Sequence, residues 1–87
     1  MNSATLPSFW KAYEKLDESI KARARRAFEL WQENPFHPSL HFKCVHQVKH
    51  SWSVRITLDC RAVGKLEGDT VIWFWIGKHD EYERFFS

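Results

Sequence analysis

Glycine and proline are scarce, three of each in 87 residues, which excludes flexible linkers, collagen-like repeats and a loop-dominated chain. Cysteine is scarcer still. Cys44 and Cys60 cannot build a disulfide framework, and the expectation is two reduced thiols in a cytoplasm. Long hydrophobic runs are missing: the longest, Val71 to Ile76, has six residues, against the roughly 18–20 a membrane span needs. The opening Met1-Asn2-Ser3-Ala4-Thr5-Leu6-Pro7 has neither the basic start nor the apolar stretch of a secretory signal. No Gly-rich phosphate loop, GxSxG elbow or HExxH motif occurs. These absences predict one soluble cytoplasmic domain over residues 1–87, with no membrane partner.

What the chain does have is aromatic bulk. It is 44 % hydrophobic and 16 % aromatic, with five Trp and seven Phe. A domain this short buries only about 60–65 % of its unfolded surface, so a dense core is required of it. In the first half Phe9, Tyr13, Leu16, Ile20, Ala24, Ala27, Phe28 and Trp31 recur at spacings of three and four, one amphipathic helical stripe. Ser8 is the expected N-cap, and Asp17-Glu18 reads as a second helix start within the run. Periodicity alone leaves one helix or a hairpin open, because the phase continues. Asn34-Pro35 ends the helical region.

Beyond Pro38 the period changes to two. Leu40–Val48 reads as a strand with Phe42, Cys44, His46 and Val48 on one face. Trp52, Val54, Ile56 and Leu58 alternate with Ser53, Arg55, Thr57 and Asp59 in a second strand. Arg61–Leu66 and Thr70–Ile76 flank Glu67-Gly68-Asp69 as a hairpin. Val71–Ile76 is apolar on both faces, which predicts a central strand covered on both sides, broken by Gly77. Asp80 is the expected cap of a short last helix over Glu81–Phe86. The fold class is therefore α+β: an N-terminal helical hairpin packed on a small antiparallel sheet, with a short C-terminal helix.

The net charge is only +2, but it is unevenly placed. Residues 43–66 hold Lys43, Lys49, Arg55, Arg61 and Lys65 against Asp59 alone, between a balanced N-terminal part and an acidic C-terminal one. That distribution suggests one surface for an anion, a phosphodiester being the natural candidate. Guanidinium groups suit phosphate oxygens, although any half-exposed strand also carries Arg on its wet side. Lys21, Arg23, Arg25 and Arg26 read as a solvated helix face or as a flank of the same anion site. His79 follows the apolar strand, next to Lys78 and three before Tyr82, where an imidazole can serve as general acid or base; equally it can simply begin the last helix. His37, His41, Cys44, His46 and His50 lack paired metal-ligand spacing on one face, so no metal and no cofactor are expected. Cys60-Arg61 has no base beside it to make a nucleophile.

The succession Phe36-His37-Pro38-Ser39-Leu40-His41-Phe42-Lys43, Trp52-Ser53-Val54-Arg55-Ile56, Asp59-Cys60-Arg61-Ala62-Val63 and Val71-Ile72-Trp73-Phe74-Trp75-Ile76-Gly77-Lys78-His79-Asp80-Glu81-Tyr82 resembles the RelE/ParE toxin superfamily, over nearly the whole chain. The family's usual initial strand would fall in the short Met1–Leu6. The resemblance implies the toxin of a type II toxin–antitoxin pair, with a cognate antitoxin as partner. In many members the activity is metal-independent cleavage of mRNA on the ribosome: the ribose 2′-OH attacks the adjacent phosphorus and the 5′-oxygen leaves. By position Arg61 resembles the phosphate-stabilising Arg, His79 the acid–base His of the YoeB-like branch, and Tyr82 the C-terminal aromatic. Lys43 and Arg55 fall where other members place cationic catalytic groups, and Lys49, Lys65 and Lys78 complete the expected RNA contacts. The YoeB-like Glu has no counterpart on Leu40–Val48, where Lys43, His41 or His46 would have to substitute. ParE-like members share the fold, lack the nuclease residues and poison DNA gyrase, which is one alternative; a catalytically silent relative that acts only by protein binding is the other. In either branch an apolar groove for a partner segment is expected.

Overall fold

The strongest organising feature of the chain is its aromatic core, and the sheet is arranged around it. A computed structural model describes the backbone of residues 1–86 and the side chains of residues 1–84. It contains β1 (Asn2–Thr5), α1 (Pro7–Tyr13), α2 (Glu18–Glu33), a 3₁₀ turn (Pro38–Leu40), β2 (Lys43–His46), β3 (Ser51–Arg55), β4 (Cys60–Glu67), β5 (Thr70–Lys78) and α3 (His79–Phe86). The five strands form one sheet in the order β1-β5-β4-β3-β2, with β1 parallel to β5 and every other pairing antiparallel. The α+β architecture expected from the sequence is the one observed, with a parallel edge strand added.

The helical stripe is broken into a hairpin at Asp17, whose carboxylate accepts from the Ile20 N–H and the Ser19 hydroxyl. Those bonds hold the Asp17 carboxyl below its ordinary value and make it the N-cap of α2. Ser8 is not a cap. Leu6 occupies the cap position, Pro7 the first helical turn, and the Ser8 hydroxyl donates to the Phe74 carbonyl at 2.7 Å. α2 stops at Glu33, ahead of Asn34-Pro35 as expected.

Both helices of the hairpin pack on one sheet face. Trp31 is fully buried and meets Phe42 and Trp73 edge-on, at centroid distances of 5.7 and 5.6 Å. Phe28 adds a second edge contact to Trp73 at 5.1 Å, the geometry aromatic quadrupoles favour. Val54, Ala62, Val71 and Ile76 complete this core from the sheet side.

β5 has pairing partners on both edges, but its faces are not equally covered. The β4–β5 register shifts between Val63 and Gly64, which pair with Trp75 and Trp73 and leave Phe74 as the extra residue of a bulge. The bulge switches the alternation: Val71 and Trp73 point into the core before it and Ile76 after it. Trp75 and Gly77 then share the opposite face, where a Cβ on Gly77 would lie 2.5 Å from the Trp75 ring. α3 covers only that end of the face, and Ile72 and Phe74 remain half-buried. Gly77 does not end the strand; it pairs with Arg61, and β5 continues to Lys78. α3 begins at His79 instead of Glu81, so Asp80 lies inside its first turn, with its carboxylate accepting from the Glu81 N–H.

The first antiparallel strand is shorter than expected. Leu40 belongs to the 3₁₀ turn, His41 takes a left-handed φ of 46° behind it, and a register shift interrupts β2 between Cys44 and His46. Val48 consequently sits in the hairpin loop, 85 % exposed. Leu58, expected inward, is 78 % exposed, because β3 ends at Arg55. Among the described residues no helix is long and apolar enough to cross a membrane.

Candidate functional site

Strand register decides which cations meet. Lys43 pairs with Ser53, Ser53 with Val63, Arg55 with Arg61 and Arg61 with Gly77. These residues therefore share the sheet face opposite the helical hairpin. At the end of β5 the His79 N–H donates to the Asp59 carbonyl at 2.7 Å. That bond holds the first residue of α3 beside the start of β4, two residues from Arg61.

The outcome is a contact between the two residues singled out for chemistry. Arg61 Nε donates to His79 Nδ1 at 3.2 Å. His79 Nε2 lies 3.3 Å from Glu83 Oε1, one helical turn further along α3. Since Nδ1 accepts from Arg61, a neutral imidazole here carries its proton on Nε2, facing the Glu83 carboxylate. His79 begins the last helix and stays about half exposed at the rim.

Arg61 and His79 line a groove of about 440 Å³ together with Lys43, Cys44, His46, Ser53, Tyr82 and Glu83. Two of its walls are incompletely satisfied. Ser53 is 1 % exposed and its hydroxyl has no hydrogen-bond partner, and Arg61 Nη1 is likewise buried and unpartnered. Buried polar groups normally find partners, so an anion or hydroxyl entering the groove would meet waiting donors. The Tyr82 ring stacks near His79 (6.4 Å, 24°) and lies 6.2 Å from Trp75. Burial, and then the negative charge of Glu83, holds the Tyr82 phenol above its ordinary value, which keeps it a proton donor.

The remaining candidates separate. Lys49 and Lys65 line a neighbouring cavity of about 600 Å³ with Leu6, Val48, Ile72 and Phe74, and Lys65 pairs with Glu67 at 3.2 Å. Tyr82, His46 and Val63 line both cavities and so join them. The lining of the larger cavity mixes these apolar side chains with His50, Ser51 and Glu67. Arg55, although the register partner of Arg61, lines a different depression, next to α2. Lys78 lies apart from the groove, in a cavity shared with Asp17, Asp59 and Glu81. Those carboxylates and Lys15 surround it, away from Arg61 and His79. His41 does not line the groove. Burial pushes the Cys60 thiol up to about 11, with Glu81 adding to the shift. Among the described residues no three His, Cys, Asp or Glu side chains gather as a metal site. Glu83 is the site residue that sequence reasoning missed. The His79–Glu83 spacing of four is a helix-face signal, hidden once the helix is started at Glu81.

A helical hairpin on one sheet face and a cationic, His-bearing groove on the other, flanked by a short C-terminal helix, make this a small α+β domain. Residues 18–84 match the ParE-like toxin domain, and the chain belongs to that family. The domain is of the kind carried by type II toxin–antitoxin systems. Similar solved structures include a chain of the RelB–RelE antitoxin–toxin complex from Methanococcus jannaschii, with a TM-score of 0.77 at 16 % identity, over 97 % of this chain and 99 % of that one. YafQ from Escherichia coli superposes with a TM-score of 0.73 at 13 % identity, over 92 % and 94 % of the two chains. The YoeB/ParE toxin from Agrobacterium tumefaciens gives 0.70 at 20 % identity, over 91 % and 99 %. At these identities the likeness is one of fold. No curated protein sequence matches the chain.

Proposed function

We propose that this toxin domain cleaves mRNA on the ribosome, without a metal or other cofactor, through Arg61 and His79. The observation that carries the reading is the 3.2 Å contact between Arg61 Nε and His79 Nδ1 in a groove with unsatisfied donors. A phosphodiester entering the groove draws the Arg61 fork onto its non-bridging oxygens and releases Nδ1. That nitrogen then takes the proton of the ribose 2′-OH, while Glu83 holds the ring by Nε2 and stabilises the imidazolium. The 2′-oxygen bonds to phosphorus and the P–O5′ bond breaks. The 5′-oxygen leaves with a proton from Lys43 or Tyr82, giving a 2′,3′-cyclic phosphate and a 5′-hydroxyl. Arg61 and Lys43 offset the charge that develops on the phosphorane.

A cytoplasmic location and a cognate antitoxin belong to the same reading. Several similar structures are of antitoxin–toxin complexes, and the apolar cavity beside the groove, with Leu6, Ile72 and Phe74, suits a segment of such a partner. The match to the ParE-like toxin domain favours a second reading, occupation of DNA gyrase without RNA chemistry. Induction of the chain without an antitoxin, followed by primer extension on cellular mRNA and by plasmid-supercoiling analysis, separates the two. The nuclease reading expects cuts within translated codons that vanish in Arg61→Ala and His79→Ala. Arrested replication with intact mRNA, indifferent to His79→Ala, would refute it in favour of gyrase.

A further inference from the structure

Arg23 and Arg26 stand three apart on α2 and so share a helix face. With Arg55, Ser39 and Thr57 they line a depression of about 640 Å³ beside the end of β3, and no carboxylate is among its lining residues. Among the described residues the side chains of these three arginines make no hydrogen bond or ion pair, and Arg55 Nε is buried without a partner. Three unneutralised guanidiniums repel one another, and a donor withdrawn from water without an acceptor is costly. A bound anion relieves both. The Thr57 hydroxyl already accepts from the backbone N–H groups of Asp59 and Cys60, so its own proton is left to donate. Arg55 is also the cross-strand partner of Arg61, so the two cationic sites are linked through one pair of the sheet although the depression opens beside α2 and shares no lining residue with the groove.

We infer that the Arg23/Arg26/Arg55 depression binds a phosphodiester group of the same RNA strand whose reacting link sits at Arg61. The choice of RNA rests on the groove reading above; the need for an anion does not. The planar forks fit phosphate oxygens two at a time, and the site lies away from the apolar cavity suited to a protein segment.

The test uses a single-stranded 2′-O-methyl oligoribonucleotide, which lacks the attacking hydroxyl and therefore binds without being cut. Its affinity for the full chain is measured by fluorescence anisotropy between 50 and 300 mM salt, roughly the range in which counterion release is resolved. Each single-strand phosphate contact contributes about 0.7 to the log–log salt slope. Arg23→Gln/Arg26→Gln should lower the slope by about 1.4 and the affinity by about tenfold at low salt. Lys11→Gln/Lys15→Gln, which removes the same charge elsewhere, should leave the slope near that of the wild type. A slope for Arg23→Gln/Arg26→Gln no lower than that of the lysine variant overturns the site. Retained oligonucleotide binding with lost binding of poly-glutamate overturns it in favour of an acidic peptide. The expected slope change together with undiminished mRNA cleavage by Arg61→Gln counts against the groove reading and supports the phosphate site.

Discussion

Gly77 offers a test in which the sign of an effect reverses with its surroundings. It lies in β5 without a left-handed φ, so an alanine there meets no backbone strain. Its Cβ would, however, stand 2.5 and 2.8 Å from Trp75 ring carbons, against the roughly 3.5–4.0 Å of a normal carbon contact. The indole must move by about an ångström, and it packs near Tyr82 on α3, the helix that carries His79. Overpacking of this kind costs about 1–3 kcal/mol. Gly→Ala also restricts the unfolded chain and stabilises by about 0.4–1 kcal/mol. Gly77→Ala should therefore destabilise the protein by about 1–2 kcal/mol, a shift of roughly 1–2 M in the urea midpoint at an m-value near the low end for small domains. In a Trp75→Ala background the clash is gone, and Gly77→Ala should stabilise by up to about 1 kcal/mol. Urea melts of the four proteins, followed by circular dichroism, complete the double-mutant cycle. Additivity of the two substitutions would refute the packing argument, because it would mean that the ring does not occupy the space of the missing Cβ.

Three further outcomes follow from the fold. Trp31→Ala removes a fully buried ring with edge contacts to Phe42 and Trp73. It should cost about 3–5 kcal/mol, which thermal denaturation would show as a large fall in Tm. Iodoacetamide followed by mass spectrometry should label Cys44 alone in the native protein and both cysteines in urea, since Cys60 is buried with its thiol pushed up to about 11. The Asp17 carboxyl is held below the usual 3.8 by Ser19 and Ile20. Its contribution is thus complete above that pH and lost as the pH falls through the lower folded value. Asp17→Asn should be less stable near neutrality and should approach the wild type in acid; a constant difference across that range would exclude the carboxylate as its source.

Much of this arrangement was legible in the residues, and the departures have identifiable causes. The helical stripe, the Asp17 start, the Asn34-Pro35 stop and the hairpin at Gly68 all follow from local chemistry. Gly68 has a φ of 59°, which suits the first central position of a II′ turn. β1 left no mark in the hydrophobic pattern, because it is short and exposed along its length, and only the family resemblance pointed to Met1–Leu6. Pairing with β5 holds it, along with bonds from Asn2 N to the Asp69 carbonyl and from Leu6 N to that of Trp73. Alternation misplaced Ser53 as an outward residue. It does face away from the helical hairpin, but Ser53 and Val54 are both buried because the second sheet face is also partly covered. In the site, Arg61, His79, Lys43 and Tyr82 converge because the β4–β5 register and the Asp59–His79 bond bring two distant segments together. Sequence order carries no trace of the turn of Arg55 toward α2, or of the carboxylates around Lys78.

The central claim is that the Arg61–His79 pair performs phosphodiester transfer. The most direct measurement is the cleavage rate of a defined mRNA on purified translating ribosomes, with end-group analysis of the products. Wild-type protein should release fragments ending in a 2′,3′-cyclic phosphate. Arg61→Gln and His79→Ala should each slow the reaction by about 10²-fold or more. Cleavage at the wild-type rate by both variants, or fragments ending in a 3′-hydroxyl, would contradict the claim.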